Sequence, residues 1–133
     1  MSLLIVQIRN DSQIFGSRQL GLLTEKETVA LTSGTGVTLD ISQGSVFTIT
    51  LAHNISTFTW SNPASGTDVS AFVLKVTQDG TGNRTIAFPA SVDFAGGTAP
   101  TLSTGAGDVD VFVFFTVNAG TTYYGFTAGL DMS

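Results

Sequence analysis

Apolar and polar residues alternate with a period of two along most of this chain, the spacing of strands that bury one face. Phe72, Leu74 and Val76 alternate with Val73, Lys75 and Thr77, and residues 79–83 then supply two glycines and an asparagine for a reversal. Ile86 and Phe88 resume the alternation until Pro89 removes a ladder donor. Residues 69–88 are therefore predicted to form a β-hairpin, which is marginal alone and needs neighbouring strands.

The same pattern predicts those neighbours. Val37, Leu39 and Ile41 share a face, as do Phe47, Ile49 and Leu51, and then Phe58 and Trp60. A weak strand falls at 92–94. In the run 108–117, Val109, Val111, Val113, Phe115 and Val117 line one face while Phe112 and Phe114 line the other, so both faces call for cover. Tyr123 and Tyr124 fall on opposite faces of a last strand. Turn signals recur every several residues, and the count of roughly eight or nine strands with no helix of ordinary length predicts an all-β chain. The expected architecture is an antiparallel β-sandwich, jelly-roll-like, with two packed sheets.

Residues 1–26 differ in texture from the sandwich domain expected over 27–133. They hold Arg9, Arg18 and Lys26, three of the five basic residues, and two apolar clusters at 3–8 and 20–23 separated by turn residues. An edge strand is one reading. The favoured one is an extended N-terminal arm that reaches a neighbouring subunit, because so apolar a terminus calls for something to cover it. Leu3, Ile5, Leu20 and Leu22 would supply most of that contact and Arg9 and Arg18 a salt-sensitive part.

A length of 133 residues fits one domain with a single core. Only 11% of residues are charged and 15 are glycine, which suits short strands and tight turns. The net charge of −5 argues against a nucleic-acid partner, since phosphate contacts need clustered Lys and Arg. Without cysteine there is no disulfide frame and no thiolate nucleophile. The early apolar run lacks a basic flank and is interrupted by Gln7, Arg9 and Asn10, so neither a signal peptide nor a membrane partner is expected.

Candidate chemistry is sparse. His53 is the single histidine and sits in a turn without a nucleophile elbow, so a solvated loop residue is expected. Residues 79–83 lack the acidic positions and terminal Glu of a calcium loop, so no metal or other cofactor is expected. Asp108 and Asp110 are two apart and suit paired acids, yet no third carboxylate completes a site, and solubilising charges at a strand entrance are the plainer reading. Aromatic residues at strand spacing belong to a core, with Trp60, beside a Ser-Asn-Pro turn, the most open to a ligand. On these grounds the chain is not expected to be an enzyme.

Several phrases taken together resemble small all-β structural proteins and domains of tailed-bacteriophage virions. They are Val37-Thr-Leu-Asp-Ile-Ser-Gln-Gly44, Val46-Phe-Thr-Ile-Thr50, Phe58-Thr-Trp-Ser-Asn-Pro63 and Leu74-Lys-Val-Thr-Gln-Asp-Gly-Thr-Gly-Asn-Arg-Thr85. Phe88-Pro-Ala-Ser-Val92, Gly97-Thr-Ala-Pro-Thr-Leu-Ser103, Asp110-Val-Phe-Val-Phe-Phe-Thr116 and Tyr124-Gly-Phe126 continue the likeness, which spans about 37–129. The resemblance implies a virion protein without catalytic residues. Its expected role is capsid decoration or cement on the outer shell surface, bound to the major capsid protein as a homo-oligomer, a trimer by expectation. The alternative it implies is a tail-fibre or receptor-binding module that would hold glycans at Trp60, Tyr123 and Tyr124.

Overall fold

The computed structural model of the protein describes residues 28–132. The expected arm, residues 1–26, lies outside the described residues, as do all six contact positions assigned to it.

Among the described residues eight strands follow in chain order: β1 (Val29–Leu31), β2 (Gly36–Asp40), β3 (Val46–Leu51), β4 (Thr57–Ser61), β5 (Ser70–Gln78), β6 (Val92–Phe94), β7 (Val109–Thr116) and β8 (Tyr123–Gly129). Six of them form one sheet in the order β1-β3-β5-β7-β8-β6, while β2 and β4 form a second, small one. The all-β expectation holds. The antiparallel one does not: β1/β3, β2/β4, β3/β5 and β6/β8 pair parallel, and β5/β7 and β7/β8 pair antiparallel.

The reason lies in the winding. From β1 to β5 each strand leaves the sheet of its predecessor for the other sheet, and the next returns in the original direction. Strands that return this way lie parallel, with a strand of the other sheet serving as the crossover that parallel pairing requires. Period-two alternation is the same for either direction, so the sequence pattern carries no mark of it.

The predicted hairpin is corrected for a related reason. β5 forms as expected, but both its edges are taken, by β3 in the register Val46↔Val73 and by β7 in the register Val73↔Val113. No edge is left for residues 84–88. They cross instead to the segment just before β4, where Ile86 forms an isolated parallel bridge with Ile55 through Ile55 N–H to Thr85 O (2.9 Å) and Ala87 N–H to Ile55 O (2.9 Å).

One core joins the inner face of the large sheet to the small sheet. Phe47, Leu51, Leu74, Phe112 and Phe114 are sealed from solvent, with Leu39 and Phe58 opposite them. Trp60 links the two sides, edge-on to Phe72 at 5.1 Å and to Phe114 at 4.8 Å between ring centroids. Edge-to-face aromatic pairs each add roughly 0.5–1.5 kcal/mol beyond the area they bury.

Candidate functional site

Polar side chains at the end of β5 and the start of β7 hold loops, Gln78 among them although its sequence context did not mark it. Gln78 ends β5 with its side chain pointing inward and 3% exposed. Its Nε2 donates to Arg84 O (2.9 Å) and Ser103 O (2.8 Å), and its Oε1 accepts from Arg84 N–H (2.9 Å). A strand-terminal side chain thus replaces the ladder partner that residue 84 would otherwise lack.

The adjoining Asp79 carboxylate accepts from Thr81 N–H and Gly82 N–H and forms a two-pronged pair with Arg84 at 2.9–3.3 Å. The Arg84 hydrogen bonds first, and the turn amides after them, hold its pKa down at about 2. Gly82 sits at φ 75°, and an added Cβ would run into the backbone around Thr104, so only glycine fits there. The single carboxylate of residues 79–83 is committed to arginine and backbone.

Asp108 and Asp110 are likewise bound to main chain. Asp108 accepts from Gly105 N–H at 2.6 Å; Asp110, 2% exposed, accepts from Ser103 N–H (2.8 Å) and Asp131 N–H (3.0 Å). Asp110 therefore ties the 99–107 loop and the C-terminal end to β7, a different role from the solubilising charge expected of it. His53 lies exposed in its turn, with Nδ1 3.4 Å from Ser33 Oγ. Among the described residues no three His, Cys, Asp or Glu side chains gather as metal ligands do.

A groove of about 420 Å³ opens at one end of the body, lined by Trp60, Asn62, Pro63, Pro89, Ser91 and Tyr123 among others. It unites two of the three candidate glycan residues. Tyr123 is 3% exposed, however, and burial pushes its phenol pKa up. Trp60 is boxed by Phe58, Phe72, Phe114 and Tyr123, and its buried Nε1 has no hydrogen-bond partner among the described residues. Stacking a sugar needs an open ring face, which neither residue offers in full. Tyr124 lies on the opposite side of the sheet, so the three do not form one site.

That opposite side is the second face for which the sequence pattern called for cover. Across the outer face of the large sheet, Val46, Val73, Val113 and Phe126 stand in register on four adjacent strands. Beside them run Ala71, Phe115 and Tyr124, with Phe115 stacked on Phe126 at 6.1 Å and 5.4 Å from Tyr124. Phe126 is 53%, Tyr124 41% and Val46 36% exposed. The two-faced apolar run at 108–117 was the sequence signal for this surface: its Phe112 face is sealed and its Val113 face is not.

Comparison with known protein families, curated proteins and solved structures finds no match to this chain.

Proposed function

We propose that this chain is a structural protein of a tailed-bacteriophage virion, a non-enzymatic decoration or cement protein on the outer capsid surface. It binds the major capsid protein as a homo-oligomer. The body is a two-layer sandwich in this reading, supported by the single core between the large sheet and β2/β4. A jelly-roll winding fits less well, because that design alternates antiparallel strands and four ladders here are parallel.

The observation that carries the reading is the outer face. A free monomer seldom leaves Phe and Tyr rings contiguous and open on a sheet, whereas a protein working inside an assembly needs such a surface. The polar residues of the virion-like phrases serve as loop clasps, which suits a scaffold. Shell contact falls to Leu3, Ile5, Arg9, Arg18, Leu20 and Leu22, with the apolar members supplying most of the affinity. Binding the assembled shell stabilises it by mass action.

The tail-fibre or glycan-binding alternative keeps only the groove at Trp60 in its favour. Imaging labelled protein on purified virions tests the choice: capsid decoration is expected, and signal confined to the tail overturns it. Particles lacking the protein should lose infectivity faster on heating or osmotic shock. Equal survival counts against a cementing role.

A further inference from the structure

We infer that the outer face of the six-stranded sheet is a two-fold interface between two copies of this chain. The inference goes beyond the virion reading and is tested on the free protein, so either can fail alone.

The face is divided in a way that complements itself. Its β7–β8 half presents large rings, Phe115, Tyr124 and Phe126, while its β3–β5 half presents the small Val46, Ala71 and Val73. Among the outward positions of the strands in this sheet, Lys75 and Asp93 are the charged ones. Lys75, on β5, stands in register with Val111 in the small half, and Asp93, on the edge strand β6, with Tyr124 in the ring half. Three strand spacings and four residues of rise put these two Cα atoms roughly 20 Å apart. Neither side chain has a salt bridge or hydrogen bond to another described residue.

A two-fold axis lying in the interface and passing between Val113 and Phe126 exchanges the positions of Lys75 and Asp93. Each Lys75 then meets the partner's Asp93, the Phe115 and Tyr124 rings of each copy lie over Ala71 and Val73 of the other, and the two Phe126 rings meet near the axis. Such an isologous contact closes on itself after two copies. A partner of different chemistry would be expected to match a patch of one sign, yet this face carries one cation and one anion within a chain of net charge −5.

Four strands, β5 to β6, by about five residues outline roughly 300 Å² per copy, the size of a weak, transient contact. Pairing is therefore reversible and visible only across a concentration series. It also departs from the trimer that the virion resemblance implies.

Sedimentation velocity of the full chain from about 1 to 100 µM reads the outcome directly. A monomer–dimer equilibrium is expected, with Phe126→Asp weakening it at least roughly tenfold, since it places a carboxylate at the axis. Lys75→Asp and Asp93→Lys should each weaken pairing, and the double exchange should restore it, because the complementary pairs are re-formed with their signs reversed. If Phe126→Asp disturbs the fold, seen as a lowered unfolding midpoint, the charge exchange at two exposed positions still decides. A monomer throughout the range, a trimer, a dimer indifferent to Phe126→Asp in its folded form, or a double exchange that fails to recover pairing would each overturn the inference.

Discussion

Replacing Gln78 by leucine isolates what a single buried amide contributes to this fold. Leucine is apolar and of comparable size, so packing around the end of β5 changes little. Three backbone groups lose their partners: Arg84 N–H, Arg84 O and Ser103 O. Leaving a buried polar group unsatisfied costs about 1–3 kcal/mol, and the lower figure applies here because Arg84 and Ser103 are only half-buried. The three together come to about 3 kcal/mol, a large share of the roughly 5–15 kcal/mol that holds a domain folded. A domain of this size should then melt roughly 10–14 °C lower, and its urea midpoint should fall by about 1–3 M at unchanged slope. Gln43→Leu, at an exposed position whose side chain donates to the exposed Ser42 Oγ, is the control and should stay within about 0.5 kcal/mol of wild type. A loss below about 1 kcal/mol for Gln78→Leu would refute the view that this amide replaces a missing strand partner.

Asp79 gives the turn a pH dependence of definite sign. Its carboxyl titrates at about 2 in the folded chain and near 3.9 when unfolded, so between those values the unfolded state binds more protons and stability falls as pH falls. Denaturant midpoints of wild type and Asp79→Asn should differ fully above about pH 4 and converge toward pH 2; a difference constant with pH refutes the clasp. Phe114→Ala removes a ring that meets Trp60, Phe72, Phe88 and Phe94, and should cost about 3–5 kcal/mol by calorimetry or urea unfolding. A loss under about 1.5 kcal/mol would mean the surrounding aromatic cluster collapses into the gap.

Which parts of this molecule could be read from sequence follows from what a period of two encodes. Alternation specifies that Phe72, Leu74 and Val76 face one way and Lys75 the other, and that much is found in β5. It is silent on which strand lies alongside and in which direction, since these depend on contacts between residues far apart in the chain. The predicted hairpin at 69–88 failed there: its turn residues were read correctly, but the edges of β5 were already claimed by β3 and β7. Composition misleads in the same way at the polar positions. Asp110 beside Asp108 suggested paired acids, and only the fold reveals that Ser103 N–H and Asp131 N–H converge on Asp110 from two separate loops. The three aromatic residues considered for glycans show the limit most plainly. Tyr123 and Tyr124 are neighbours in sequence and therefore on opposite faces of β8, so no ligand could bridge both; of the two, Tyr124 is left open on the outer face. That face was within reach of the sequence, because the run 108–117 is apolar on both sides and the small sheet can cover only one of them.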